Sequence, residues 1–510
     1  MRPGMTLEEA GDIQAIRDVL ARYWRGIDRC DAELVRNAYT EDAYDDHGYY
    51  KGPIEGFIET LPTQVWPSFL GTQHFSGHIA VELLAADVAR AESYAVAHHI
   101  AAGDGAGLRD LVYGLRYVDR FERRAGQWRI AHRICTWDWH RAHDVGGVEL
   151  APTYFRGHRD GTDPVFLHPT GRGFRVEPDA LIAKREIHAT QMRYARGVDR
   201  CDPELVRSTY HPGAYDDHGG YQGDVEGFID FVKRDVMDTC RCTMHKMGNS
   251  LIEVAGDEAW SETYAVAHHI MGEGPETRDL LMGVRYIDRF ECRRGEWKIA
   301  HRVMSFEWER WAAVGAQAFG PGFKPGLRDG SDPVLVQREG SGAGDPEREA
   351  IDREEIYQQL ALYCRAVDRC DEALLRSVYH PDAHDDHGHY AGDVEGFIEF
   401  VKEEVQGRFR CTMHKLGNAC IEVAGDVAHC ESYAVGHHVR AEHGVDIDDL
   451  VMGLRYVDRF ERRDGIWRIA ERELRFEWQR VEPLSELDAS WTLGRHDTED
   501  PVYAEEGAAT

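Results

Sequence analysis

The feature that most constrains this chain is a long segment that occurs three times with small changes. The sequence contains GIDRCDAELVRNAYTEDAYDDHGYYKG, then GVDRCDPELVRSTYHPGAYDDHGGYQG, and then AVDRCDEALLRSVYHPDAHDDHGHYAG. Each copy closes with an Asp-Pro-Val segment, at Asp163, Asp332 and Asp500. A period this long indicates a whole domain rather than a short solenoid unit. We therefore expect three tandem domains in the 510 residues, at 1–170, 171–345 and 346–510, and call them copies one, two and three.

Charge and composition disfavour several classes of protein. The chain has 60 Lys and Arg residues against 91 Asp and Glu residues, a net charge of -31, which disfavours binding to nucleic acid or to an anionic membrane surface. No apolar run reaches the roughly 18 residues that a membrane-spanning helix needs, and the first residues lack the apolar core of a signal peptide. The 11 cysteines form no CxxC pair, which is typical of reduced thiols. These features predict a cytoplasmic protein with neither nucleic-acid nor membrane partners.

Within each copy the residue pattern predicts helices first and strands afterwards. In copy three an apolar stripe with helical spacing passes through Ile356 and Leu360. Asp202 followed by Pro203 is the N-cap and first residue of a second helix. From Ile79 onward the apolar period changes to two, and Asp-Gly and Arg-Gly turns separate the last two runs, as in antiparallel hairpins. This order predicts an α+β fold.

An aspartate at the predicted end of the first helix and a histidine 46 residues later keep their spacing in every copy. The pairs are Asp28 with His74, Asp199 with His245, and Asp368 with His414. The aspartate continues the edge of the apolar stripe, so it is partly buried and needs a partner. A histidine held by a buried carboxylate is a general base with a fixed tautomer. We predict that these six residues are catalytic; the alternative is a salt-bridged acid and a histidine satisfied in the core.

Two further motifs supply histidines to each copy. In Asp-Asp-His-Gly, strand alternation places the first Asp and the His on one face, which suggests a pocket wall. In the later His-His pair one member faces inward and the other faces solvent or a neighbouring copy. Strand parity groups the first member with Tyr94 and Val96, although a bulge would reverse this assignment. The predicted substrate-binding or acid residues are therefore His47, His218, His387, His98, His268 and His437, together with the first-helix tyrosines Tyr23, Tyr194 and Tyr363.

Metal and nucleophile chemistry have weaker sequence support. Asp28, His47, His74 and His98 are residue types that could form a two-histidine, one-carboxylate iron site. The sequence contains no compact ligand motif such as HExxH, no GxSxG nucleophile setting, no GxGxxG and no P-loop. We therefore predict no metal and no cofactor.

The first helix ending in Asp, the DDHG motif, the strand headed by His and the segment RYVDRFERRAGQWRIAHR together resemble SnoaL-like domains of the nuclear transport factor 2-like superfamily. The resemblance covers nearly all of each copy. Among characterised members the pattern is similar to γ-hexachlorocyclohexane dehydrochlorinase, scytalone dehydratase and bile-acid 7α-dehydratase. It implies a cone-shaped domain, with a strongly curved antiparallel sheet wrapped on helices around a deep apolar pocket. Because these relatives generally assemble as trimers, it also implies a covalent pseudo-trimer that is a monomer in solution.

The same resemblance implies roles for the candidate residues. The Asp-His dyad of these enzymes falls on the three pairs given above, and a pocket tyrosine of scytalone dehydratase is replaced here by His47, His218 and His387. The second catalytic histidine of that enzyme matches the His-His pair, most simply His98, His268 and His437. The tyrosine before its aspartate is replaced by Ile27, Val198 and Val367.

The function so implied is a cofactor-independent lyase, such as a dehydratase, that acts on a hydrophobic ring compound. An isomerase or hydrolase on the same scaffold and a non-catalytic small-molecule binding protein are the alternatives. Copy one carries His78 where the others carry Asn249 and Asn418, so we expect its pocket to be tuned differently.

Overall fold

The first helix of each copy forms where the sequence supplies caps and an apolar stripe. In the computed structural model, Thr6 and Glu9 form a reciprocal capping box at the start of helix α1 (Leu7–Asp28). The predicted caps of the second helix are also confirmed, because the Asp202 side chain accepts a hydrogen bond from the Leu205 amide and Pro203 opens the helix. The structure describes residues 5–103, 107–145, 155–156, 158–159, 163, 178–314, 324–325, 327, 345–442, 445–485, 492–493 and 500.

The described residues form three similar sets of helices and strands. The helices are α1, α2 (Ala32–Asn37), α3 (Ile54–Thr60), α4 (Pro178–Asp199), α5 (Pro203–Ser208), α6 (Val225–Val232), α7 (Pro346–Asp368), α8 (Glu372–Val378) and α9 (Val394–Phe400). The strands of copy one are β1 (Tyr39–Asp46), β2 (Lys51–Pro53), β3 (Gly71–Ala85), β4 (Val88–Ala102), β5 (Leu108–Arg124) and β6 (Gln127–Val145), followed by β7 (Phe155–Arg156). Those of copy two are β8 (Tyr210–Asp217), β9 (Gln222–Asp224), β10 (Cys242–Ala255), β11 (Glu258–Met271), β12 (Arg278–Arg293) and β13 (Glu296–Ala313), followed by β14 (Lys324–Pro325). Those of copy three are β15 (Tyr379–Asp386), β16 (Ala391–Asp393), β17 (Cys411–Ala424), β18 (Val427–Glu442), β19 (Val445–Arg463) and β20 (Ile466–Pro483), followed by β21 (Thr492–Leu493).

The sheet of each copy has the same strand order, which in copy one is β2-β1-β6-β5-β4-β3. Strands β3 to β6 form the predicted antiparallel meander. The turn residues before the last strand, such as Asp464 and Gly465, have the positive φ angles of a tight hairpin. Strand β1, which carries the Asp-Asp-His motif, instead pairs in parallel with β6, so each sheet is mixed. The predicted α+β class and the three cone-like domains are confirmed.

The outer face of each long-stranded sheet is covered by the neighbouring copies. Tyr94, Val96 and Trp139 of copy one form one buried cluster with Met413 and Val439 of copy three. The second seam contains the equivalent positions, Met244 and Ile270 of copy two with Tyr433 and Trp478 of copy three. In the third seam Tyr264 and Trp308 of copy two pack against Phe75 of copy one. Each copy therefore contacts both others, as in a trimer with approximate threefold symmetry.

The short strands that follow each copy also join it to another copy, in the same cyclic order. Strand β7 after copy one pairs with β13 of copy two, β14 pairs with β20 of copy three, and β21 pairs with β6 of copy one. Asp163 forms salt bridges with Arg29 of its own copy and Arg285 of copy two. Asp500 does the same with Arg369 and Arg116, whereas Asp332 lies outside the described residues. Asp163 and Asp500 thus link one copy to the next through these salt bridges.

His78 lies at a seam between copies, and within the described residues no hydrogen bond or ring contact joins it to the dyad of copy one. The different tuning of the copy-one pocket stays a prediction. Nδ1 of His78 accepts a hydrogen bond from the Leu416 amide of copy three. Asn249 and Asn418 accept the equivalent backbone hydrogen bonds, from Ser76 and Met247. In the described part of the chain, no helix is long and apolar enough to cross a membrane.

Candidate active site

The predicted aspartate and histidine are in contact in every copy. The first helix ends at the aspartate, which brings its carboxylate to the start of the strand that carries the histidine. The carboxylate-to-Nδ1 distances are 2.7 Å for Asp28–His74, 2.7 Å for Asp199–His245 and 2.6 Å for Asp368–His414. The second carboxylate oxygen accepts the backbone N–H of the same histidine at 2.8, 2.9 and 2.8 Å. Two hydrogen bonds to one residue fix both the position and the ring orientation of the histidine.

This geometry also defines the tautomer of the ring. Because the carboxylate is an acceptor, the neutral imidazole donates from Nδ1 and carries its lone pair on Nε2. In the described residues, Nε2 of His74, His245 and His414 has no hydrogen-bond partner. The histidines are 6–7% exposed, whereas the aspartates are fully buried. The arrangement therefore leaves one unoccupied proton-accepting atom in each copy.

The aspartates stay ionised despite their burial. Burial alone would raise the pKa of the Asp28 carboxyl. The His74 ring, Arg29 and the His74 amide together lower this pKa by more than burial raises it, so the net shift is downward. The same causes lower the pKa of Asp199 to about 2 and that of Asp368 below its ordinary range. A carboxylate that is ionised at neutral pH can stabilise an imidazolium when the histidine takes up a proton.

The second member of each His-His pair, not the first, lies beside the dyad. The rings of His99 and His74 meet edge to face with centroids 5.2 Å apart. The equivalent pairs, His269 with His245 and His438 with His414, are 5.1 Å apart. Burial, and then repulsion by the dyad histidine, lowers the pKa of His269 and of His438 to about 4. These residues are neutral at neutral pH and face the base.

The predicted inward orientation of His98, His268 and His437 is therefore reversed in the structure. His98 binds Asp110 at 2.8 Å and stacks on Trp308 of copy two. The other two behave alike: His268 with Asp279 and Trp478, and His437 with Asp449 and Trp139. The predicted parity with Tyr94 and Val96 holds, but that strand face packs against another copy.

The Asp-Asp-His motif holds its histidine on the inner side of the sheet. Asp45 binds Nδ1 of His47, and the Tyr23 hydroxyl lies 3.0 Å from Nε2 of the same ring. Phe57 stacks on the ring with centroids 4.4 Å apart. The other copies repeat these contacts: Tyr194 with His218 at 3.1 Å and Tyr363 with His387 at 3.0 Å. Both nitrogens of these rings are engaged, and in the described residues no hydrogen bond or ring contact joins them to the dyad.

Sequence reasoning missed His99, His269 and His438 as neighbours of the dyad. The sequence does contain a signal for them: along β4 one strand face carries alanines, and small residues mark the face that packs on the helix. Ala91, Ala95 and Ala97 share the face of His99 and lie in the core of copy one, where small side chains leave room for the first helix. Among the described residues, no group of three or more His, Cys, Asp or Glu side chains is placed to hold a metal ion.

A mixed sheet packed on a long helix, repeated three times, is the arrangement of the nuclear transport factor 2-like class of α+β domains. The SnoaL-like domain family model matches residues 8–134, 179–303 and 348–473. The chain belongs to the SnoaL-like domain family and carries three copies of that domain.

Known relatives cover one copy each. An uncharacterized protein of Mycobacterium tuberculosis is 34% identical over 127 residues, which is 24% of this chain and 84% of the relative. A crystal structure of a hexachlorocyclohexane dehydrochlorinase from Novosphingobium barchaimii is 21% identical and covers 28% of this chain and 94% of its own, with a TM-score of 0.24. A protein from Novosphingobium aromaticivorans, provisionally named a scytalone dehydratase, is 19% identical and covers 30% and 99%, with a TM-score of 0.25.

Proposed function

We propose that each copy is a cofactor-independent lyase centre in which the dyad histidine removes a proton from carbon. The observation that carries this proposal is the geometry of the dyad, which recurs in all three copies. Nδ1 is bound to a buried ionised carboxylate, and Nε2 has no partner in the described residues. A base held in this way needs no further activation to accept a proton.

The proposed elimination moves one proton to the histidine and one electron pair to the leaving group. The lone pair on Nε2 takes the proton, and the electrons of the broken C–H bond form the new carbon–carbon double bond. The leaving group departs with the electron pair of its own bond, and for a hydroxyl group the imidazolium returns the proton to give water. The aspartate does not transfer a proton; it stabilises the imidazolium and holds the ring in place.

The neighbouring histidine, His99, His269 or His438, takes the role of contacting the leaving group in this proposal. It replaces His98, His268 and His437, which pack against another copy. Because burial and the dyad ring lower its pKa, this histidine is neutral and polarises the leaving group rather than protonating it. His47 and its counterparts, with both nitrogens engaged, form a fixed polar wall.

A hydrophobic ring compound is the substrate class that we propose. Aromatic side chains lie next to the dyad: Phe69 contacts the His99 ring with centroids 4.6 Å apart, and Tyr113 contacts the same ring at 5.3 Å. Aromatic side chains bind flat apolar ligands through their faces and edges. Family members named for dehydration and dehydrochlorination agree with this choice.

The test is removal of the dyad histidines from the full chain, one at a time and together. Three equal centres predict that His245→Ala leaves about two thirds of the turnover of a ring substrate, and that the triple variant with His74→Ala and His414→Ala loses at least about 1,000-fold. His384→Ala, at an exposed position of β15, is the matched control and should keep full activity.

Other outcomes identify the alternative functions. Isomerisation by a carboxylate base does not need this histidine, so substantial activity in the triple variant would replace the lyase proposal with an isomerase. Ligand binding that is unaffected by the three substitutions, without turnover of any ring compound, would indicate a binding protein.

A further inference from the structure

A cavity of about 150 Å³ lies where the three copies meet, away from the dyads. Helices α1, α4 and α7 and the first long strand of each copy supply its lining. The lining contains six basic side chains: Arg17, Lys184, Arg185, Arg193, Arg196 and Arg353. The one carboxylate among the described lining residues is Glu422.

Among described residues, five of the six basic groups of this axial cavity have a carboxylate partner, and Arg193 is the exception. Lys184 binds Asp18, Arg196 binds Glu422 and Glu431, and Arg353 binds Glu349. Arg17 and Arg185, from copies one and two, both bind the single buried carboxylate of Glu354 from copy three. Arg193 donates to the Thr190 hydroxyl at 2.8 Å and, within the described residues, forms no salt bridge. Glu186 and Glu422 attract Arg193 electrostatically without forming a salt bridge with it in the described part of the chain.

Several buried N–H groups at the cavity also lack an acceptor. They are Nε of Arg17, Arg185 and Arg353 and one terminal nitrogen of Arg196. Arg196 itself is 6% exposed. A buried guanidinium N–H without an acceptor costs free energy, so an occupant that supplies acceptor oxygens would be favoured.

The electrostatic state of the cavity agrees with a missing negative charge. Burial, and then repulsion by Arg353, lowers the pKa of Arg193. Burial, followed by repulsion from Arg185 and Arg17, lowers the pKa of His188 to about 3. A negative charge in the cavity would relieve this repulsion.

Equivalent positions of the three copies differ at this cavity. The residues at one such position are Gln14, Arg185 and Glu354, and those at another are Arg17, His188 and Tyr357. The lining is therefore not threefold symmetric, and it presents one set of donors per chain rather than three identical sets.

From this geometry we infer that the axial cavity binds one small oxyanion per chain, a phosphate or a short carboxylate, held by Arg193 together with the unpaired Nε–H of Arg353. An empty cavity of similar size in other proteins admits a benzene-sized molecule, so both ligands fit. Guanidinium groups are the side chains best suited to bind carboxylate and phosphate oxygens. The site is separate from the dyads and does not depend on the proposed lyase activity.

The experiment is titration calorimetry on the full chain in an anion-poor buffer, with inorganic phosphate in one arm and succinate in the other. Sodium chloride at matched ionic strength is the reference for general screening. We expect saturable binding at one site per chain in at least one arm, which also identifies the preferred source of the oxyanion. Arg193→Gln should weaken binding at least about tenfold, whereas Arg234→Gln, an exposed arginine paired with Asp235, should leave it unchanged.

A second readout separates binding from a structural role. Because Arg353 repels Arg193, Arg193→Gln should not lower the melting temperature without added anion, but it should abolish the rise that the anion causes in the unsubstituted chain. Binding in neither arm, binding that Arg193→Gln leaves intact, or an equal effect of Arg234→Gln would overturn the inference.

Discussion

Removing one dyad histidine should create a destabilisation that depends on pH in a defined way. Asp199 is fully buried, and contact with His245 holds its pKa at about 2, below the ordinary 3.8. In the native chain this lowered pKa contributes stability that is present above about pH 4 and is lost as pH falls through about 2. His245→Ala removes the main group that offsets burial, so the pKa of Asp199 rises.

The size of the effect follows from that change. Loss of a shift from 3.8 to about 2 costs about 2 kcal/mol at pH 7. Because the carboxyl of the variant stays buried without its partner, its pKa should rise above 3.8, and protonating it at pH 7 adds up to about 4 kcal/mol. This added cost falls with pH and vanishes near pH 4, where the unfolded carboxyl is also half protonated, whereas the first cost of about 2 kcal/mol is still present there. The expected penalty of His245→Ala is therefore more than about 2 and up to about 6 kcal/mol at pH 7, and it falls to about 2 kcal/mol at pH 4.

The assay is urea unfolding followed by tryptophan fluorescence at pH 7, 5.5 and 4. The double variant Asp199→Asn/His245→Ala has no buried carboxyl to protonate, so its penalty should vary less with pH and should be smaller at pH 7 than that of His245→Ala alone. His384→Ala, which is exposed, serves as the control. A His245→Ala penalty that is equal at pH 7 and pH 4, or a double variant no more stable than the single one at pH 7, would refute the reasoning.

Two further predictions concern the differences and the assembly of the copies. Copy three has Gly436 where the others have Ala97 and Ala267, and a Cβ there would lie 2.9 Å from His438 and 3.4 Å from Nε2 of His414. In a chain whose other two dyads are inactivated, Gly436→Ala should raise KM for bulky ring substrates about tenfold and change KM for small ones less; equal changes would contradict this. Light scattering should give the mass of one chain from low to high concentration, and a mass that grows with concentration would exclude the proposed monomer.

Much of the site could be predicted because its signals are local. The cap of the second helix depends on Asp202 and Pro203, which are adjacent in sequence, and the structure confirms it. Contact between Asp199 and His245 was predicted from their constant spacing, because a helix that ends at one residue and a strand that begins at the other can meet only over a short range of loop lengths. Both hydrogen bonds between Asp199 and His245 join residues of the same copy, so the sequence of one copy is enough to predict them.

The orientation of the His-His pair could not be predicted in the same way. Alternation along β4 correctly grouped His98 with Tyr94 and Val96, but alternation does not identify which face of a sheet is inner when both faces are buried. Here the face of His98 is covered by Trp308, which is 210 residues away in sequence and belongs to another copy. Apolar residues on that face, such as Val96, therefore looked like pocket residues although they form a seam between copies.

Joining the copies in one chain changes what equivalent positions can do. In a trimer of identical chains, a charged residue at the position of Gln14, Arg185 and Glu354 would place three like charges around the axis, which is unfavourable in a buried site. In this chain the position holds a neutral, a basic and an acidic residue, and Glu354 binds both Arg185 of copy two and Arg17 of copy one. Lys184 of copy two similarly binds Asp18 of copy one. These pairs require different residues in different copies, so they favour one cyclic arrangement, while the dyads kept in all three copies require only the fold of each domain.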